Sequence, residues 1–141
     1  MDWDSVELRY MLDTDLCVRI LRDRPKIIRE RFTEEIQRCC VSIVTFSELL
    51  YRAEKTLKPW VSVEKVEDLI ETMQVLPFGQ NAAAHFASIR VDLERRCQII
   101  GPRDLMVAAH ARSLGLTLVT ANLEEFKRVH GLSSEDWDAT A

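Results

Sequence analysis

Short apolar runs alternate along this chain with stretches of helical periodicity, and few folds accommodate that order. Residues 8–12 read as a strand that stops at Asp13-Thr14-Asp15, after which residues 16–21 begin a helix with Cys17, Ile20 and Leu21 on one side. Pro25 opens a further helix through Phe32 and Ile36. Residues 40–44 are rich in β-branched side chains and read as a buried strand. They feed into Thr45-Phe46-Ser47-Glu48, which has the spacing of a capping box, with Val44 and Leu49 placed as a hydrophobic staple, so a helix is expected from there to about residue 57. Residues 62–73 carry Val63, Val66, Leu69, Ile70 and Met73 at helical spacing.

A brief strand over residues 75–78 is broken by Pro77, and Asn81 is expected to cap a long helix to about Arg96, packed through Ala82, Phe86, Ile89 and Leu93. Gly101-Pro102 breaks the chain before another helix, for which Pro102 suits the first position and Gly115 the C-cap. Residues 116–120 read as the next strand, 123–129 as a short helix and 132–137 as an edge strand. Strands alternating with helices imply right-handed crossovers and an α/β/α sandwich around a mainly parallel sheet of four or five strands. At 141 residues the whole chain is expected to be one domain, with its core over about residues 8–137.

Composition removes some functions without choosing one. There are 19 Lys plus Arg against 23 Asp plus Glu, a balance that permits a local basic surface for phosphates but does not demand it. The N-terminus carries Asp2, Asp4 and Glu7 where a secretory signal would carry Lys or Arg before an apolar core, and no run is long enough to span a bilayer. Cys17, Cys39, Cys40 and Cys97 form no Cys-x-x-Cys pair and lie in apolar segments, as small core residues of a protein in a reducing cytoplasm do. His85, His110 and His130 form no His-x-x-x-His pair, and no nucleophile elbow is present.

The acids are more informative. In a parallel sheet the site lies beyond the carboxyl ends of the strands. Asp13 follows the first strand, Glu48 comes one helical turn after the second, Asp104 sits in the first turn of a helix, and Asn122 follows the strand at 116–120. Three carboxylates and a carboxamide could therefore converge at one sheet edge. Each also has an ordinary explanation. Asp104 suits the helix dipole, Glu48 could be the reciprocal half of a capping box, and Asp15 could simply cap the next helix. Asp13 is harder to dismiss, because an acid ending an apolar strand gains nothing from sheet packing. Thr14 and Thr120 could orient a ligand or cap locally, and Glu125, one turn after Asn122, reads as solvent-facing.

Met11-Leu12-Asp13-Thr14-Asp15, Thr45-Phe46-Ser47-Glu48-Leu49-Leu50-Tyr51, Ile100-Gly101-Pro102-Arg103-Asp104-Leu105-Met106 and Leu118-Val119-Thr120-Ala121-Asn122-Leu123 resemble, in order and spacing, the four motifs of PIN-domain ribonucleases. The resemblance is strongest to the VapC toxins of bacterial type II toxin-antitoxin systems. It implies a Mg2+- or Mn2+-dependent endoribonuclease acting on RNA such as tRNA, restrained by a VapB-like antitoxin, and a homodimer. Its catalytic positions fall on Asp13, Glu48, Asp104 and Asn122, with Asp13, Asp104 and Glu48 as metal ligands. Hard divalent cations take oxygen donors, and an activated water can attack phosphorus in line.

The chain departs from that pattern at three positions. Asn122 offers an amide oxygen without charge, which weakens a second metal site. Arg103 stands where Asn is common, and Arg52 where Gly often follows. Either arginine reads as a phosphate contact or, more ordinarily, as a solvent-facing side chain. Arg22 and Arg24, in the run Arg22-Asp23-Arg24-Pro25-Lys26, and Arg95-Arg96 are further candidates for RNA-backbone contact. Two other readings compete. Asp13 and Asp15 also resemble the Asp-x-Asp of haloacid-dehalogenase-like phosphatases, although Cys17 stands where Thr or Val is wanted and no matching Lys or late acidic pair is evident. The chain could also be a non-catalytic PIN relative that binds RNA or antitoxin.

Overall fold

The structure is a computed structural model that describes residues 7–138. Five parallel strands, β1 (Tyr10–Leu12), β2 (Cys39–Ser42), β3 (Gln74–Leu76), β4 (Thr117–Val119) and β5 (Ser134–Glu135), lie in the order β3-β2-β1-β4-β5. The helices between them are α1 (Thr14–Arg22), α2 (Lys26–Glu35), α3 (Ile43–Glu54), α4 (Pro59–Ile70), α5 (Gln80–Arg95), α6 (Pro102–Leu114) and α7 (Leu123–Phe126).

Both faces of the sheet are covered, so the central strands are buried on both sides rather than alternating with polar residues. Within β1, Tyr10 and Leu12 enter one core with Leu16, Ile20, Phe32, Val41 and Leu49, while Met11 enters the other with Ile89, Leu93, Leu105 and Leu118. The two-residue period of the strand thus supplies two cores, and the α/β/α sandwich expected from the alternation is the fold.

Several local expectations fail at helix starts. Helix α1 is capped by Asp13, whose Oδ1 accepts from Leu16 N at 2.8 Å, so Asp15 is an exposed first-turn residue and not the cap. The capping box at Thr45 and Glu48, with its Val44–Leu49 staple, does not form. β2 ends at Ser42, whose extended backbone (φ −72°, ψ 148°) and Oγ, accepting from Val44 N at 3.1 Å, start α3 earlier. Thr45 is then buried with its hydroxyl lacking a partner among the described residues. Asn81 lies inside α5, which starts after Gly79 without a side-chain cap. Helix α4 begins at Pro59, with the ring at its first position, and ends at Ile70, three residues before the expected Met73. Gly115 does close α6, in the left-handed conformation (φ 67°) that a residue without Cβ adopts at no steric cost.

Cys17, Cys39 and Cys40 are buried, and burial pushes the Cys39 and Cys40 thiols up to about 12. Cys97 departs from the expectation for the four cysteines. Helix α5 ends at Arg95, and Cys97 occupies the following turn, exposed and at φ 55°.

Ser42 performs two tasks. Besides capping α3 it lies 2.8 Å from Nδ1 of buried His110 on α6, a ring stacked edge-on against Phe78. Burial lowers the imidazole pKa and so favours the neutral ring in its hydrogen bond with the Ser42 hydroxyl. Ser42→Ala is expected to cost about 2 kcal/mol, since it removes a helix cap and leaves a buried nitrogen unpaired. Urea denaturation of the two proteins measures it.

Candidate active site

At the carboxyl edge of the sheet, β1 and β4 run side by side with Leu12 opposite Val119. Asp13 follows β1 directly and its backbone N donates to Val119 O at 3.1 Å. The residue is only 6% exposed. Desolvation raises its pKa to about 6, although the Thr120 side chain and the Leu16 amide both favour the ionised form. Thr120, the buried residue after β4, also accepts from Asn122 N at 2.9 Å.

Asp104 reaches the same edge from the first turn of α6. Its pKa is likewise pushed up to about 6, by partial burial first, then by the charge and hydrogen bond of Glu125, then by the charge of Asp13; Arg103 acts in the opposite sense. Glu125, on α7, is therefore partly buried within the acid group and not turned to solvent as its position in the sequence suggested. It also accepts from the Asn122 side-chain amide. The one available signal in the sequence was its place a turn after Asn122, on the helix that leaves β4.

Glu48 is differently engaged. It lies in the second turn of α3, with its side chain 13% exposed, and both oxygens are taken: Oε1 by Arg103 Nη1 at 3.1 Å and Oε2 by Arg52 Nε at 3.0 Å. Arg52 extends the network to Asp15, Nη1 to Oδ1 at 3.2 Å. The two arginines thus pair with carboxylates rather than facing solvent alone. No three His, Cys, Asp or Glu side chains among the described residues stand as a ready metal-ligand set.

Of the other basic candidates, Arg22 and Arg24 are exposed beside the turn joining α1 to α2, and Arg95 is exposed at the end of α5. Arg96 is committed to Asp92 and to the carbonyl oxygen of Arg128. The Asp-x-Asp reading loses its geometry as well, because Asp13 turns inward while Asp15 is exposed against Arg52.

The donors suit a hard divalent cation. Asp13, Asp104 and Glu125 offer only oxygen, and two of these carboxyls resist ionisation because they are desolvated and share a field with little counter-charge. His110 faces Ser42 and lies apart from this group, and the buried thiols are protonated.

A parallel five-stranded sheet with acids gathered at the carboxyl ends of β1 and β4 is the architecture of a PIN domain, and the model of that family matches residues 10–132. The chain is 44% identical over 130 residues to the tRNA(fMet)-specific endonuclease VapC of Salmonella typhimurium, covering 92% of this chain and 98% of that protein. It is 41% identical over 130 residues to the ribonuclease VapC2 of Haemophilus influenzae, with the same coverage. A chain in the crystal structure of DNA-bound VapBC from Salmonella typhimurium superposes with a TM-score of 0.89 at 44% identity, again over 92% of this chain and 98% of that one. The protein belongs to the PIN-domain family, among its VapC ribonucleases.

Proposed function

We propose that this ribonuclease is a Mg2+- or Mn2+-dependent endonuclease that cleaves RNA, tRNA among its substrates, as the toxin of a toxin-antitoxin pair. The observation that carries the metal dependence is the pairing of Asp13 and Asp104, brought to one sheet edge from distant parts of the chain and both held near pKa 6 by burial and by neighbouring acids. Such an arrangement is unfavourable alone and favourable around a cation.

Asp13 and Asp104 would hold the ion, Glu125, beside Asp104, would share that role, and Glu48 would complete the set when released from its arginines. Asn122 contributes an amide rather than a charge and orients Glu125. A bound divalent ion would supply an activated water and offset charge on the scissile phosphate. The chain's own residues fix where that happens: Asp13 is immobilised by the cap it makes on α1, and Thr120 lies beside it.

The antitoxin is assigned to a groove of about 320 Å³ between α1, α3 and α4, lined by Val18, Leu21, Leu49 and Val66 and flanked by Arg22 and Lys65. Leu57, just before α4, and Trp60, in its first turn, are 99% and 69% exposed, an apolar surface that a partner helix would cover. No helix among the described residues is long and apolar enough to cross a membrane.

Incubation of the purified chain with total RNA tests the reading. Cleavage is expected with Mg2+ or Mn2+ and is abolished by EDTA. Cleavage that persists in EDTA overturns the metal-dependent mechanism.

A further inference from the structure

Arg52 and Arg103 are the two basic departures from the family pattern, and they sit on different helices far apart in the chain. The fold brings both onto one carboxylate, each taking one oxygen of Glu48. We infer that Arg52 and Arg103 form a clamp that keeps Glu48 out of the metal site until an RNA backbone phosphate takes over the guanidinium groups. The inference rests on the metal-dependent reading above.

Three features support an exchange rather than a fixed structural pair. Glu48 is mostly enclosed, whereas the arginine side chains are 37% and 44% exposed, so the cations and not the carboxylate meet an approaching polyanion. A guanidinium fork binds phosphate with the same planar, charge-assisted geometry that it uses for carboxylate, so phosphate can replace Glu48 without leaving either arginine unpaired. Asp15 retains Arg52 during the exchange, which keeps that cation at the rim of the site.

The closed clamp has two consequences for the ion. It occupies the oxygens of one ligand, and it places a positive charge next to Asp104, where Arg103 already opposes the field of the acids. Phosphate binding reverses both, so RNA and metal bind cooperatively and each raises the affinity for the other by the same factor. Without RNA the site holds its ion weakly, which limits free metal chemistry at an idle enzyme.

Two double-mutant cycles on the full chain test the clamp, with melting temperatures recorded to confirm folding. In the first, Mn2+ affinity is measured by electron paramagnetic resonance of free Mn2+ in the absence of RNA. The double variant Arg52→Gln/Arg103→Gln is expected to bind Mn2+ about 10-fold tighter than the unmodified chain, and Arg103→Gln alone in the same direction, from the loss of the competing cations. Adding Glu48→Gln to the double variant removes most of that gain, because the released ligand is gone. A gain that survives Glu48→Gln reflects charge removal alone and overturns the clamp, as does equal affinity in all variants. Absence of Mn2+ binding in every variant overturns the metal reading and the clamp with it.

In the second cycle, fluorescence anisotropy follows a labelled 2′-O-methyl RNA oligonucleotide in EDTA. Glu48→Gln is expected to tighten RNA binding about 5-fold in the unmodified background by freeing both arginines for phosphate. It has little effect when both arginines are already Gln. Equal tightening in the two backgrounds overturns the exchange.

Discussion

Replacing Asp104 by Asn lowers the rate of RNA cleavage by about 100- to 10,000-fold, the range expected when several kcal/mol of metal-borne charge stabilisation is removed from the transition state. The same substitution leaves the melting temperature of the metal-free protein at or above that of the unmodified chain. Partial burial first, and then the neighbouring Glu125 and Asp13, push the Asp104 carboxyl up to about 6. A neutral amide relieves the repulsion, while the small favourable interaction of a carboxylate with the first turn of α6 is lost. Opposite movements of activity and stability distinguish a residue kept for chemistry from one kept for folding. Single-turnover cleavage assays and thermal melts in EDTA measure the two effects, and a fall in both would assign Asp104 to the architecture of α6 instead.

Asp13 is expected to make the metal-free protein lose about 1–2 kcal/mol of stability between pH 5 and pH 8, given a folded pKa of about 6 against the ordinary value of 3.8. The sign follows from proton binding. In this range the native carboxyl binds its proton more tightly than the unfolded chain does, so stability falls as pH rises, from the unfolded value up through the folded one, and levels off above it. Asp13→Asn removes the Asp13 share of this slope and leaves that of Asp104, whose carboxyl is also pushed up to about 6. The amide oxygen still accepts from Leu16 N, so the cap on α1 survives while cleavage is lost to a similar extent as in Asp104→Asn. Saturating Mg2+ flattens the slope in the unmodified chain by binding the ionised form. Urea midpoints at four pH values, with EDTA and with Mg2+, follow it. A stability that rises with pH in EDTA would contradict the burial of this charge.

Arg103 marks the limit of what a single sequence discloses. As a departure from a family pattern it was visible, but solvent and phosphate were the only partners that local reasoning could offer it. Its carboxylate partner lies on α3, and nothing in the spacing of Arg103 and Glu48 along the chain relates them. For Glu48 a capping box with Thr45 stood as the alternative to a place in the acid group, because the two residues have the right separation. The signal was outcompeted by Ser42, which ends β2 three residues earlier and supplies the cap. Asp15 lost its expected cap to Asp13 for a similar reason: the residue that leaves the strand is already oriented to receive the first free amides of α1.

The alternation of strand and helix, the acids at the strand ends and the Gly115 stop were determined by the sequence itself, since apolar periodicity, turn chemistry and left-handed backbone preference act over a few neighbouring residues. Tertiary structure alone decided which charges meet. It turned Glu125 towards Asp104, enclosed Asp13 until its carboxyl resisted ionisation, and placed Arg52 and Arg103 on opposite oxygens of Glu48. Those outcomes depend on how α1, α3, α6 and α7 are set against one sheet edge, because desolvation and Coulomb interactions are fixed by distance through space and by the solvent excluded between groups.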